Sequence, residues 1–191
     1  EPGWIYLSSM GSDSDSFYSI LENYLASRPA VKLVFQPGTY QMKMGVEKLK
    51  GIYQRSEVFV CNKEEAGRIL NKQGGEIKEL LTEIRQLGPK IVVVTDGPRG
   101  AYASFENKMF FMPAYPDPKP PYERTGAGDA FSSTFVVALA LGLPVEEALR
   151  WAPINSMSVV QQVGARAGLL KREQLEEFLK NALPDYLSKP I

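Results

Sequence analysis

The sequence has no histidine and only one cysteine, Cys61, among its 191 residues. The lack of histidine excludes serine–histidine and cysteine–histidine catalytic pairs, and zinc sites built on histidine. A single cysteine cannot form an intramolecular disulfide, so we expect a reducing compartment, the cytoplasm. No apolar run approaches the roughly 20 residues that a membrane-spanning helix needs, and we expect no membrane partner.

The chain also lacks net charge, because 22 Lys and Arg residues balance 22 Asp and Glu residues. Proteins that bind nucleic acid through a broad positive surface carry an excess of basic residues, so no nucleic-acid partner is expected. The composition, 44% hydrophobic and 23% charged, is typical of a globular domain with a packed core. The length fits a single domain.

Short apolar runs alternate with helical patterns along the chain. Strands are predicted at 4–7, 31–35, 58–61, 91–94, 101–105 and 108–112. Helices are predicted at 17–27, 44–54, 62–70, 76–87, 126–141, 145–163 and 172–182. Residues 113–121 hold five of the fourteen prolines and are predicted to form an extended loop. This alternation predicts a three-layer α/β fold, with a mainly parallel sheet and helices on both faces.

A turn of small residues, Gly126-Ala127-Gly128-Asp129, precedes a long apolar helix. The first N–H groups of a helix have no internal partner, and small residues let phosphate oxygens approach them closely. Asp129 is placed to accept a proton from a substrate hydroxyl; the simpler interpretation is a helix cap. The turn is not a Walker A loop, because no Gly-Lys-Ser/Thr follows it.

Two weaker motifs come earlier in the chain. Asn62 follows an apolar run, and Glu65 stands three residues later, which is also the spacing of a helix capping box. Thr95 and Gly97 follow the apolar run at 91–94, where a plain turn after a buried strand is the alternative. Taken alone, each motif favours the structural interpretation.

In this order the three motifs resemble those of the ribokinase-like, or PfkB-family, sugar and nucleoside kinases. The resemblance implies an ATP-dependent phosphotransferase that acts on a hydroxyl of a sugar or nucleoside. It implies that Asp129 is the catalytic base and that Gly126, Ala127 and Gly128 form the anion hole. The same resemblance makes ATP and Mg²⁺ the expected cofactors, with Glu65 as the metal-binding residue. The implied nucleotide contacts are Asn62, Glu65, Thr95, Gly97, Gly128 and Asn155.

A fourth stretch, from Trp151 to Gly164-Ala165, resembles the family's helix beside adenine. Asn155 lies in this stretch and is for that reason a candidate nucleotide contact. An exposed helical asparagine is the alternative for this residue. The acceptor stays open between a sugar, such as ribose or fructose, and a nucleoside. The 155–170 stretch favours the adenosine-kinase-like branch slightly.

The chain departs from the family pattern just before the glycine turn. Glu123-Arg124 stand where the family usually has Asp-Thr, and that aspartate often belongs to a monovalent-cation site. The resemblance therefore makes K⁺ a candidate cofactor. Glutamate is one methylene longer than aspartate, however, and this argues against a K⁺ site. Gln36-Pro37-Gly38 similarly replaces the Asp-Pro-Asn often seen after a strand.

The resemblance covers only the C-terminal part of the family. The chain begins Glu1-Pro2-Gly3 and runs directly into the first apolar strand, so we expect a truncated kinase that lacks the N-terminal strands and the lid. We expect one ATP-binding domain over residues 1–191, inactive by itself, and a homo-oligomer or strand-sharing dimer that covers the exposed sheet edge. The alternatives are a non-catalytic nucleotide-binding module and an inactive structural fragment.

Overall fold

The computed structural model describes residues 1–72 and 74–191. Within these residues, seven strands follow one another across one sheet in chain order: β1 (Trp4–Leu7), β2 (Lys32–Phe35), β3 (Ser56–Asn62), β4 (Ile91–Thr95), β5 (Ala101–Phe105), β6 (Lys108–Met112) and β7 (Lys189–Pro190). Strands β1, β2 and β3 pair in parallel, whereas β7 is antiparallel to β6. The predicted α/β fold class is confirmed.

Eight helices separate or follow these strands in the described part of the chain: α1 (Asp15–Ala26), α2 (Thr39–Met44), α3 (Lys50–Arg55), α4 (Lys63–Ile69), α5 (Ile77–Gln86), α6 (Ala127–Ala140), α7 (Val145–Val160) and α8 (Arg172–Lys180). The prediction of one helix over 44–54 is wrong. Gly45 follows α2 with φ +85°, a positive angle that favours glycine and that a continuing α-helix cannot have. None of the helices in residues 1–72 and 74–191 is long and apolar enough to cross a membrane.

The chain divides into two compact units, and the first comprises Glu1–Val94 and Ala103–Asn107. Its core contains an aromatic cluster of Phe35, Tyr53 and Phe59, whose ring centroids lie 5.3–5.7 Å apart. The hydrophobic effect of burying three large rings anchors β2 and β3 to α3. The carboxyl end of β3, where Asn62 lies, is thereby held on a rigid support.

Buried Gln41 joins the loops that follow β1 and β2. Its amide donates a hydrogen bond to the carbonyl of Ser8 (2.8 Å) and accepts one from the N–H of Gly38 (2.9 Å). A Cβ atom at Gly38 would lie 2.0 Å from the Oγ of Ser9, so the glycine is needed for this close approach. The carboxyl ends of β1 and β2 are therefore fixed to each other.

The second unit comprises Thr95–Tyr102 and Lys108–Ile191. Helices α6 and α7 supply its core through buried side chains, among them Phe131, Phe135, Leu149, Ala152 and Ile154. The C-terminal tail returns to β6, where the N–H of Ile191 donates to the carbonyl of Met109 at 3.0 Å. The tail thus covers the outer side of β6. The prediction of a single domain over residues 1–191 stays a prediction.

Candidate active site

The glycine turn, residues 126–129, begins α6. Gly126 is the N-cap residue and has φ +80°, a conformation that residues with a Cβ adopt only under strain. A Cβ atom at this position would lie 2.6 Å from the Cβ and 2.9 Å from the carbonyl oxygen of Ala165. Both the backbone angle and the neighbouring residue therefore require glycine at position 126.

The last two residues of the glycine turn are exposed. A Cβ atom added at Gly128 would meet no atom of the described residues within 4 Å, and Gly128 and Asp129 are both exposed. The helix is regular from its start, because the N–H of Ala130 donates to the carbonyl of Gly126 at 2.8 Å. Helix N-termini attract anions through their unpaired N–H groups and their dipole. The turn can therefore accept an anion beside the Asp129 carboxylate.

The segment before the glycine turn is held by the end of α7. The N–H of Tyr122 donates to the carbonyl of Val160, the last residue of α7, at 2.7 Å. The Glu123 carboxylate then accepts a hydrogen bond of 2.6 Å from the N–H of Gly164. Residues 122–126 are consequently fixed to the 161–170 loop, which connects α7 to α8.

Asn155 lies on α7 and is 7% exposed, so its interpretation as an exposed helical asparagine is wrong. Its amide donates to Oγ1 of Thr134 on α6 at 2.8 Å and accepts from the N–H of Leu170 at 3.0 Å. These bonds tie α6, α7 and the end of the 161–170 loop together. The predicted contact between Asn155 and the nucleotide stays a prediction.

Asn62 and Glu65 form the capping box of α4. The N–H of Glu65 donates to Oδ1 of Asn62 (2.8 Å), and the N–H of Asn62 donates to Oε2 of Glu65 (2.9 Å). The capping interpretation is confirmed. The predicted phosphate and metal contacts are compatible with it and stay predictions.

Glu65 fits the way in which proteins hold Mg²⁺. This ion keeps several waters and binds through one or two carboxylates together with substrate phosphates. Within residues 1–72 and 74–191, no group of three or more acidic or cysteine side chains could hold a metal ion without a substrate. A half-buried carboxylate in the first turn of α4, just after β3, suits an ion that arrives with a nucleotide.

Thr95 ends β4, and Gly97 lies in the tight turn that follows. Gly97 has φ +55°, and the N–H of Asp96 donates to the carbonyl of Gly100 at 2.8 Å. The Asp96 carboxylate also accepts two hydrogen bonds from the Arg99 guanidinium, at 2.6 and 2.9 Å. The predicted turn is confirmed, and its contact with a nucleotide stays a prediction.

The predicted site residues fall into two groups. Asn62 and Glu65 belong to the first unit, whereas Thr95, Gly97, the glycine turn and Asn155 belong to the second. Sequence reasoning missed the contact of Glu123 with Gly164, although it had noted both residues. The two lie 41 positions apart, so no local spacing pattern could have linked them.

Comparison with known proteins extends these observations. Residues 16–172 match the model of the pfkB family carbohydrate kinases. The ribokinase of Bacillus subtilis (strain 168) is 36% identical over 99 residues, which are 52% of this chain and 33% of that protein. The 5-dehydro-2-deoxygluconokinase of the same organism is 25% identical over 162 residues, which are 81% and 49% of the two chains. This chain thus spans at most about half the length of these two relatives.

Two solved structures share the fold. Arabidopsis thaliana ribokinase complexed with ribose and ATP has a TM-score of 0.79 and 23% identity, covering 93% of this chain and 56% of that one. A protein described as ribokinase II from E. coli, in complex with ATP and Mg²⁺, has a TM-score of 0.80 and 18% identity, covering 94% and 59%. Since the family model matches most of the sequence, the chain belongs to the pfkB family of carbohydrate kinases.

Proposed function

We propose that this chain carries the nucleotide-binding and proton-accepting part of an ATP-dependent kinase whose acceptor is a hydroxyl of a sugar or nucleoside. The observation that carries the proposal is the glycine turn. It joins an exposed helix N-terminus to the exposed Asp129. Phosphoryl transfer needs electrostatic stabilisation and positioning more than covalent chemistry, and this turn can supply both.

Each residue of the glycine turn has a part in the proposal. Gly126 sets the direction of the chain, while Ala127 and Gly128 leave their backbone accessible to the oxygens of the transferred phosphoryl group. Backbone N–H groups that already point at developing charge stabilise the transition state without reorganising. Asp129 accepts the proton of the acceptor hydroxyl as that oxygen attacks phosphorus.

The nucleotide would contact Asn62, Glu65, Thr95, Gly97, Gly128 and Asn155, and Glu65 would hold Mg²⁺. When bound, Mg²⁺ neutralises charge on the phosphates and orients them. The amide of Asn155 is also bonded within the protein, so in addition to its proposed contact Asn155 would place the 161–170 loop. K⁺ remains a candidate cofactor, but Glu123 binds the N–H of Gly164, and we propose that nucleotide binding does not require K⁺.

The acceptor and the activity of the isolated chain are also proposals. The ribose in the Arabidopsis ribokinase structure and the name of the Bacillus relative, 5-dehydro-2-deoxygluconokinase, support a polyhydroxylated acceptor. Positioning of the acceptor accounts for much of the rate of such reactions, and this chain spans at most about half of its relatives. We therefore expect it to bind nucleotide without turnover.

We infer that a second copy of the chain pairs with β1. This strand lies at one end of the sheet, and no described strand covers its outer side, whereas the tail of the chain covers β6. Unpaired edges of this kind attract other strands. Trp4 and Ile5 are only half-buried and Tyr6 is 37% exposed, so pairing would also bury apolar surface. The single, buried Cys61 is compatible with the cytoplasm that we propose as the location.

Titration calorimetry with Mg²⁺ and ATP or ADP tests the nucleotide site on the 191-residue chain. Saturable binding is expected; its absence would favour an inactive structural fragment. The base is tested in a chimera in which this chain replaces the matching part of the B. subtilis 5-dehydro-2-deoxygluconokinase. Asp129→Asn should lower kcat at least about 100-fold, and the exposed Asp185→Asn is the matched control. Nucleotide binding without turnover in the chimera would favour a non-catalytic module.

A further inference from the structure

Glu123 lies three residues before the glycine turn, where the resemblance puts the aspartate of a monovalent-cation site, and the proposed chemistry gives it no part in phosphoryl transfer. Its Oε1 accepts a hydrogen bond from the N–H of Gly164 at 2.6 Å. Gly164 has φ +90°, so this N–H is presented by a left-handed bend in the 161–170 loop. One carboxylate therefore joins the chain entering α6 to the chain leaving α7.

The same two segments meet again at Gly126, three residues after Glu123, and Ala165, one residue after Gly164. A Cβ atom at Gly126 would lie 2.8 Å from the Cα of Ala165, so the two backbones are in direct contact. Any displacement of Ala165 must therefore move Gly126 or open a gap beside it. The Glu123–Gly164 bond lies one residue before Ala165, where it can restrain that displacement.

The 161–170 loop is itself fixed at its far end. A Cβ atom at Gly168 would lie 2.4 Å from the carbonyl oxygen of Ser158, and the N–H of Leu170 bonds to buried Asn155. Asn155 in turn donates to Thr134 on α6. The loop is thus a firm support for the glycine turn, and Glu123 is the side chain through which the turn engages it.

Other hydrogen bonds join the sequence before the glycine turn to the end of α7, from the N–H of Tyr122 to the carbonyl of Val160 and from the side chain of Gln161 to the carbonyl of Lys119. Neither of these reaches the bend at Gly164. Residues 113–121 have no regular secondary structure and five prolines, which cannot donate backbone hydrogen bonds. Arg124 and Thr125 are exposed. We propose that Glu123 is a positioning residue, which holds the glycine turn in its nucleotide-binding conformation by accepting the N–H of Gly164. The proposal rests on the proposed function for its effect on nucleotide affinity, but not for its effect on the conformation of the turn.

A series of variants at position 123 separates the effect of side-chain length from the effect of charge. Glu123→Gln keeps an oxygen at the same distance from the backbone and loses the charge, whereas Glu123→Asp keeps the charge and is one methylene shorter. If the hydrogen bond is what matters, Glu123→Gln behaves like the wild type and Glu123→Asp behaves like Glu123→Ala. The exposed Glu177→Ala in α8 removes the same charge from the same unit and is the matched control.

Two measurements are made on the whole 191-residue chain. Amide NMR reports on the turn without nucleotide: Glu123→Ala should remove the exchange protection of the Gly164 N–H and shift the amides of Gly126, Ala127 and Gly128. Calorimetry with Mg²⁺ and ADP should show a Kd about tenfold higher in Glu123→Ala, the loss expected for one hydrogen bond. Glu123→Gln should stay within about threefold of the wild type.

The outcomes distinguish the two proposals. If the wild-type chain binds no ADP, the proposed function fails, and the amide shifts still decide whether Glu123 positions the turn. If Glu123→Ala leaves the amides of Gly126–Gly128 unchanged, the positioning role is overturned. It is also overturned if Glu123→Asp matches the wild type while Glu123→Gln matches Glu123→Ala, because charge rather than the hydrogen bond would then matter.

Discussion

Gly126 and Ala165 lie so close that a Cβ atom on the glycine would be 2.6 Å from the Cβ of the alanine. The two residues are 39 positions apart, one at the start of α6 and the other in the 161–170 loop after α7. Their contact fixes where the first turn of α6 points. The shape of the glycine turn is therefore a property of tertiary packing as well as of its own sequence.

Gly126→Ala should destabilise the chain by about 2–3 kcal/mol, since it adds both left-handed strain and a clash. Gly142→Ala is the matched control, because Gly142 has φ +87° but no described atom within 4 Å of an added Cβ. That variant should lose only about 1 kcal/mol, from strain alone. Urea unfolding measures both, and equal losses would show that Ala165 does not constrain the turn.

Gly128→Ala should separate binding from stability. The added methyl group meets open space and replaces glycine by the best helix former, so the free energy of unfolding should rise or stay unchanged. The methyl group would occupy the surface that phosphate oxygens approach, and the affinity for ATP should fall about tenfold or more. Unchanged ATP affinity in this variant would remove Gly128 from the nucleotide site.

Asn62 and Glu65 allow the cap of α4 to be separated from metal binding. Asn62→Ala should lose about 1 kcal/mol of stability, because the N–H of Glu65 loses its acceptor. Glu65→Gln keeps an oxygen for the N–H of Asn62, so stability should change little while the Mg²⁺-dependent part of ATP affinity is lost. Calorimetry with and without Mg²⁺ checks this, and the exposed Glu64→Gln is the control. If Mg²⁺ raises the ATP affinity equally in the wild type, Glu65→Gln and Glu64→Gln, Glu65 is excluded as the metal-binding residue.

Asn155→Ala should lower the free energy of unfolding by about 1–3 kcal/mol, because it leaves the N–H of Leu170 without its acceptor in a half-buried place. Thr134→Val removes the other partner of the amide while leaving Leu170 bonded, and is the matched variant. Thermal unfolding and ATP titration are measured on both. A fall in ATP affinity confined to Asn155→Ala would support its proposed placing of the 161–170 loop, and unchanged affinity in both would argue against it.

Because the thiol of Cys61 is buried, we predict that the free energy of unfolding falls at alkaline pH. Burial raises the pKa of its thiol well above the ordinary value, and Glu65 adds a smaller effect. In the unfolded chain the thiol deprotonates near pH 8.5, so above that pH the folded state holds more protons than the unfolded state. The free energy of unfolding then falls as pH rises, by at most about 1.4 kcal/mol per pH unit.

Urea unfolding of the wild type and Cys61→Ala between pH 7.5 and 9.5 tests this. The difference between the two proteins should shrink as pH rises, because only the wild type has the thiol. Burial also raises the pKa of Tyr53, but an unfolded tyrosine titrates near pH 10 and is common to both proteins. A difference that is constant over this range would contradict the prediction.

The outer side of β1 predicts association between copies of the chain. Trp4→Lys places a charge on the edge strand, a feature that natural proteins use to prevent edge pairing. The mass measured by light scattering should fall from a dimer or larger species toward the monomer. Tyr122→Lys is the control, since Tyr122 is 73% exposed and lies outside the strands. A wild-type chain that stays monomeric at high concentration would refute pairing through β1.

The patterns that depend on neighbouring residues were predictable. β1, β5 and β6 have the predicted bounds, and α4 begins after Asn62 as the capping box indicates. Helix and strand periodicity, caps and glycine turns act over a few residues, so the sequence carries them directly. The prediction of one helix over 44–54 failed because Gly45 ends α2 and a separate helix, α3, begins at Lys50.

By itself, then, the sequence determined the α/β class, the family and the order of the three motifs, because each depends on local chemistry or on residues that stand next to one another. Only the tertiary structure decided that Asn155 is buried between α6 and the 161–170 loop, and that Glu123 bonds to Gly164. These contacts join residues 15 to 41 positions apart. Which distant groups meet depends on how whole elements pack, and no periodicity in the chain records that packing.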